Sequence, residues 1–492
     1  MNPLGRRSFL GWLVVTGIEL PKVLKGSTLL PAIQTATVKN TSVVSGPINV
    51  KDYGAIGDGK HNDTVAIQKA LDAGAGQEVW LPPGTYLISR SLVIPANTTL
   101  FGSGLERSTI LAAPGGVWKA PSPANWVFIV GTVNTDGVTV RDLTVNANRQ
   151  VASGICILGG DGPQILRTRV QSASVHSGIH FFGKQTPSVK PVSNGLMLAN
   201  QVENSTYNLV CDGQNENIRI LGNISVDPGV THYSLDGSQG GQGNFNIVLN
   251  GNQAVGSKGG ASNTFLCYVN HGTVISGNST QNSIAGRHGT QGQHFNIQES
   301  EDVVVADNNL YTSEPSDYPA WGVVMGASQV SGHGNVIDGV HTAFYLIGTS
   351  NPPSPFRETV VLNAKAFQSN NDPTASYAAT YDLGGSYFNG ERYHPKLKPA
   401  GLPVRSGAVY GNPYGLPITI YQPVHVNKRG TAGQIRVASG SSNPPQELYT
   451  RGVSSDTTAD IPDIVVVSVP AAGYYQFTVT NASLGTPTII GE

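Results

Sequence analysis

The stretch INVKDYGAIGDGKHNDTVAIQKAL, residues 48–71, continued by VWLPPGTYLISRSLVIPANTTLFGSG at 79–104, decides the fold. Its first half holds a Gly-rich turn and one amphipathic helix, with Val65, Ile67, Ala70 and Leu71 at mixed i, i+3, i+4 spacing behind two residues able to cap it, Asn62 and Asp63. The second half is strand-like: Val79, Leu81, Tyr86, Ile88, Leu92, Ile94 and Leu100 fall in short runs cut by Pro82, Pro83, Gly84, Pro95 and Gly102. A helix with one apolar face laid over the open end of a stack of strands would cover an edge that otherwise aggregates.

Beyond residue 126 the chain becomes periodic. VTVRDLTVNAN, ILRTRVQSAS, GLMLANQVENS, IRILGNISVD, IVLNGNQAVG, VISGNSTQNS and VVVADNNLYTS repeat one signature. Within it Asn200, Asn223, Asn252, Asn278 and Asn308 recur at separations of 23, 29, 26 and 30. A period of that size marks one turn of a solenoid, with the surplus residues in loops. Asparagines stacked at a rung corner can bond each other's amides, so they are read as structural ladders.

The pieces VKDYGAIGDGKHNDT, AIQKAL, VWLPPGTY and LFGSG closely resemble the entry segment of the pectate-lyase-like superfamily of right-handed parallel β-helices. The resemblance implies an all-β chain, a right-handed parallel β-helix with an N-terminal capping helix. It also implies relatives that include hydrolases, lyases, epimerases and phage depolymerases, among which fold alone cannot choose. NTDG at 134–137 and SGHG at 331–334 resemble polygalacturonase motifs, but they lack companion motifs and are read as rung corners.

Composition agrees with a turn-rich β-protein: 60 Gly, 31 Pro and 12% charged residues in 492. With 30 basic against 31 acidic side chains, nothing points to nucleic acid or an anionic membrane as partner. MNPLGRRSFLGWLVV, with Arg6 and Arg7 ahead of an apolar run from Gly11 to Leu20, resembles a twin-arginine export signal and is too short for a membrane span. Residues 1–36 are therefore read as export signal and leader, 37–47 as linker, and the mature protein as periplasmic or extracellular without a membrane span. The β-helix is expected over 48–400. After Pro352, Pro353 and Pro355 the repeat fades, and the alternating runs ITIYQPVHVN, AGQIRVASG, DIVVVSVPAAGYYQFTVT and TPTIIGE place a small β-sandwich within 401–492. By analogy with β-helix relatives this end is expected to assemble a homotrimer. Cys156, Cys211 and Cys267 have no metal or disulfide spacing and read as buried free thiols.

The second strand of each rung carries the functional signal. SGIHFFG (177–183), YNLVCDG (207–213), HYSLDG (232–237), NTFLCY (263–268) and HFNIQ (294–298) align on their terminal turns. Alternation sends Ile179 and Phe181, Leu209 and Cys211, Tyr233 and Leu235, Phe265 and Cys267, Phe295 and Ile297 inward. Outward columns then read Phe182, Asp212, Asp236, Tyr268, Gln298; Asn208, His232, Thr264, His294; and His180, Ser234, Asn296. Stacked like charges at Asp212 and Asp236 split their pKa values, which suits one carboxyl as acid and the other as base or nucleophile in glycosidic cleavage. Asp212, Asp236, His232, Tyr268 and His294 are the expected catalytic set. His180, Asn208, Arg287, Asn296, Gln298 and Trp321 are the expected contacts to a polysaccharide. Each aspartate also fits a turn cap before glycine. Paired carboxylates suit calcium too, but two ligands are too few for a site, and no cofactor or other metal is expected. A lyase or epimerase acting on uronates is the second reading, weakened by a ladder without Lys or Arg. A non-catalytic carbohydrate-binding protein is the third.

Overall fold

The computed structural model describes residues 46–119, 127–150, 152–174, 177–238, 242–256, 262–284, 292–312, 320–347, 356–370, 386–389, 391–392, 396–397, 405–412, 418–426, 432–454, 463–470, 473–485 and 487–491. The opening motif is interlocked. The Asp63 carboxylate, 2% exposed, accepts from Ile56 N (2.7 Å) and Gly57 N (3.0 Å), tying the Gly-rich turn to the start of the helix. Gly57 has φ +73°, and a side chain there would meet the Tyr86 ring at 2.8 Å; one at Gly84 would meet the Gly57 carbonyl at 2.7 Å. DYGAIGDG and PPGTY thus require each other's glycines.

The helix, α1, spans Thr64–Ala73 and buries Thr64, Ile67, Ala70 and Leu71. Val65, expected on that face, is 50% exposed because it lies one position outside the stripe. Asp63 is spent on the turn and does not cap α1; Asn62 Oδ1 accepts from Thr64 N (3.1 Å) instead. Gln68 bonds both ways with Val93, Nε2 donating to its carbonyl and Oε1 accepting from its N–H, each at 2.9 Å. The strand Leu92–Val93 ends the third sheet, so Gln68 satisfies backbone groups that a further strand would have taken.

From there the chain winds a parallel β-solenoid. Its three main sheets contain 12, 14 and 11 strands, and successive rungs pair in parallel; the one antiparallel pair among the described strands of these sheets is Tyr387–Phe388 with Glu391–Arg392. All ten side chains assigned inward on the third sheet lie in one continuous core. Tyr233, Phe265 and Phe295 stack there with centroids 5.2 and 5.0 Å apart.

At the corner between first and second sheets, Asn200, Asn223, Asn252, Asn278, Asn308 and Asn335 form a ladder. Each amide nitrogen donates to the next carbonyl oxygen at 2.9–3.0 Å, and that oxygen also takes the preceding residue's backbone N–H. SGHG departs from expectation: Val330–His333 is a strand of the first sheet, so most of the motif is not a corner. The three cysteines are buried and free.

Near the C-terminus the alternating runs form two antiparallel sheets, centred on Ile418–Val426 and Ala432–Gly440, which share a separate apolar cluster around Ile420, Val437, Val467 and Phe477. No helix among the described residues is long and apolar enough to cross a membrane. The leader, residues 1–36, lies outside the described residues.

Candidate functional site

The third-sheet register is the one the aligned turns imply: Phe182, Asp212, Asp236, Tyr268 and Gln298 are successive partners, each the last residue of its strand. Buried asparagines fix the turns that follow. Asn215 Nδ2 donates to Asp212 O (3.0 Å) and to Asn244 Oδ1 (2.8 Å), and Asn270 Nδ2 donates to Leu235 O (2.9 Å). The carboxylates therefore sit where backbone position is held by buried side-chain bonds.

Asp212 turns toward the preceding rung, its Oδ2 3.2 Å from His180 Nε2. His180 is 1% exposed and meets the Phe182 ring edge-on at 5.2 Å, so it stands behind Asp212 and not as an open contact surface. Phe182 itself joins Phe128, Cys156 and Leu158 in a small apolar cluster on this outer side of the sheet. That cluster accounts for the thiol Cys156 in the His180 column, and burial there drives the Cys156 pKa well up.

Asp236 Oδ1 accepts from Ser238 N (3.0 Å) and from Ser238 Oγ, so this carboxylate does cap its turn. Its pKa is nevertheless raised, chiefly by burial and further by the charge of Asp212, against the opposing Ser238 bonds. Repulsion from Asp212, the cause expected from the sequence, is thus the lesser one.

Tyr268 Oη donates to Glu299 Oε1 at 3.0 Å, and that bond pushes the phenol pKa upward. Glu299 was not among the expected residues. It follows the strand at φ 49°, in the turn, where alternation says nothing about direction. Gln298 Nε2 donates to Asn296 Oδ1 at 2.7 Å. His180, Asp212, Asp236, Tyr268, Asn296 and Gln298 thus belong to one region, with Glu299 added.

The other expected residues that fall within the described chain lie elsewhere. Asn208, His232 and His294 are fully buried at the strand starts, at the corner with the second sheet. Asn208 Nδ2 and His232 Nδ1 both bond Ser225 Oγ at 2.8 Å. His232 Nε2 faces the carbonyls of Gly256 (3.0 Å) and Ser283 (3.1 Å), and His294 lies among Thr264, Thr280 and Thr312. Simple alternation fails there because the chain bends into the strand. Burial lowers the His232 pKa to about 4 and that of His294 to about 3, so both are neutral and closed off from a substrate. Trp321 is 7% exposed, pairs in register with Gln293 at the strand start, and stacks on Tyr345 at 4.3 Å and 6°, so it covers the solenoid. Arg287 lies outside the described residues. No group of three or more His, Cys, Asp or Glu among the described residues is arranged to hold a metal ion.

A parallel β-solenoid defines a class of protein by its fold, and residues 47–299 match the family described as rhamnogalacturonase A/epimerase, pectate lyase-like. The chain belongs to that family. It is 38% identical over 111 residues to mannuronan C5-epimerase AlgE6 of Azotobacter vinelandii, covering 20% of this chain and 12% of that protein. It is 28% identical over 149 residues to the pre-neck appendage protein of Bacillus phage B103, covering 30% and 16%. It is 40% identical over 98 residues to plasmin and fibronectin-binding protein A of Streptococcus pneumoniae, covering 19% and 13%. These matches thus span less than a fifth of the relatives' own lengths. Among solved structures, the hyperthermoactive exopolygalacturonase of Thermotoga maritima aligns with TM-score 0.50 at 12% identity, over 71% of this chain and 93% of that one. Bacteriophage phi29 gene product 12 aligns with TM-score 0.50 at 16% identity, over 70% and 57%. At those identities the likeness concerns fold alone.

Proposed function

We infer that the protein is an exported polysaccharide-cleaving enzyme of the glycoside hydrolase type, working at the outer face of the third sheet. The observation that carries this is the register pairing of Asp212 with Asp236, two carboxyls in unlike surroundings. Asp236, with its raised pKa, protonates the leaving glycosidic oxygen. Asp212, held from behind by His180, is the partner that attacks the anomeric carbon or activates water. Tyr268 with Glu299, and Asn296 with Gln298, offer hydroxyl and amide groups to sugar hydroxyls. Export by the twin-arginine route and assembly as a homotrimer belong to the same proposal.

A second reading, proton abstraction next to a uronate carboxylate by a lyase or epimerase, draws on the family description and the epimerase relative. That chemistry calls for a cation to neutralise the uronate, and the Phe182 to Gln298 column has neither Lys nor Arg.

The purified chain is to be screened against neutral and uronate polysaccharides, scoring reducing ends and the ultraviolet absorbance of unsaturated products. Reducing ends without absorbance are expected, and Asp212→Asn or Asp236→Asn should each lower the rate by about 10³-fold. Absorbance rising with cleavage supports the lyase instead. Saccharide binding that survives both substitutions, with no cleavage of any polymer, leaves a binding protein.

A further inference from the structure

A concave site lies at the opposite end of the third-sheet strands. The segments that join second-sheet to third-sheet strands differ in length: residues 147–152 and 172–176, then only 204–206 and 227–230, then 256–262 and 282–291. Along the short turns lies a cleft of about 560 Å³ lined by Arg149, Ser172, Ser174, Asn204, Thr206 and Asp227, among others. That volume falls within the usual range for small-ligand sites.

The floor is built and not a chance gap. Ser172, Asn204 and Asp227, each the first residue after its strand, hold φ of 59°, 54° and 44°, so three rungs turn sharply at one level, and Arg149 holds φ 57° beside them. Thr206 Oγ1 donates to Ser174 O at 2.9 Å, and Gly229 N donates to Ser205 O at 2.8 Å, tying adjacent turns together. The named lining is hydroxyl, amide and charge of both signs, with Arg149 and Asp227 on different rungs, the complement of a polyol and not of an apolar ligand. Arg149 is exposed and its guanidinium suits a carboxylate or sulfate.

We propose that this cleft binds an acidic oligosaccharide, with Arg149 taking its anionic substituent and the Ser172–Ser174 and Asn204–Thr206 turns its hydroxyls. The strand Tyr207–Asp212 separates it from the carboxylate column, a length of about 16 Å at the strand rise, so the two sites are distinct. This rests on the saccharide reading of the protein but not on which bond the carboxylates break.

The test uses the full chain carrying Asp212→Asn, so that nothing is turned over, titrated calorimetrically with neutral, carboxylated and sulfated oligosaccharides. Binding of an acidic member is expected. Arg149→Ala should weaken it about tenfold while leaving the weaker neutral sugars unchanged, and Thr206→Trp, which fills the floor, should abolish it. The carboxylated and sulfated arms tell the two sources of anion apart. Circular dichroism identifies a Thr206→Trp chain that fails to fold, and Arg149→Ala then decides alone. No binding by any of the oligosaccharides, equal affinity for neutral and acidic ones, or affinity unchanged in Arg149→Ala overturns the assignment. Cleavage by the unsubstituted chain combined with such a result removes the cleft and keeps the hydrolase; Arg149-dependent binding without cleavage does the reverse.

Discussion

At the scale of single residues, burial decides what each titratable group can do. His232 and His294 are held neutral, with pKa values near 4 and 3 against 6.5 for a free imidazole. The unfolded chain therefore binds protons in a range where the folded chain does not. The contribution of these two histidines is full above about pH 6.5, falls as pH drops through the window toward 4 and then 3, and levels off below. His232 alone contributes a loss of about 3 kcal/mol across it. Melting temperatures measured between those limits should drop steeply for the native chain and less for His232→Gln, which titrates nothing. Asp236 offers a sharper probe of chemistry. The Ser238 hydroxyl favours its ionised form, so Ser238→Ala should raise its pKa further. If Asp236 is the acid, the alkaline limb of the rate profile moves to higher pH; a limb that stays put assigns the proton to another group. The sequence exposed the aspartates because both precede a glycine turn at matching positions, but it misplaced the histidines, since a two-residue period carries no information where the chain bends.

Among the elements, the corners do as much as the strands. Asn252 accepts from Asn223 N and Nδ2 and donates to Ile220 O and Asn278 Oδ1, all within 3.0 Å and all buried. Asn252→Ala removes these bonds and strands several polar groups. A loss of about 2–4 kcal/mol in urea unfolding is expected, whereas an exposed asparagine such as Asn250 should cost under about 1 kcal/mol. This ladder was legible because its period recurs in plain strand contexts. The turn asparagines were equally periodic, Asn215, Asn244 and Asn270 being spaced by 29 and 26 as Asn223, Asn252 and Asn278 are, yet they hide among turn residues of varied composition. Reading that shared spacing would have located the turns that seat Asp212 and Asp236. Glu299 had no comparable signal, because only the fold brings its carboxylate to Tyr268.

For the whole molecule, the two large cores among the described residues are separate. The solenoid cluster runs from Val50 to Ala364, and the C-terminal cluster from Ile418 to Ala482, with no member in common among the described residues. Within the solenoid each rung contacts its neighbours, so loss of one rung's bonds loosens the array as a unit; the antiparallel sheets answer to their own packing. Two-state bookkeeping then fails for the full chain, and heating should resolve two calorimetric transitions. Asn252→Ala should lower one and leave the other in place. Phe477→Ala, which empties a fully buried position in the C-terminal cluster, should do the opposite, at a cost of about 3–5 kcal/mol to that unit. A single transition moved equally by both substitutions would mean that the two cores unfold together. The carboxylate column and the corner cleft would in that case share their stability with the C-terminal sheets, and substitutions there would act on both sites at once.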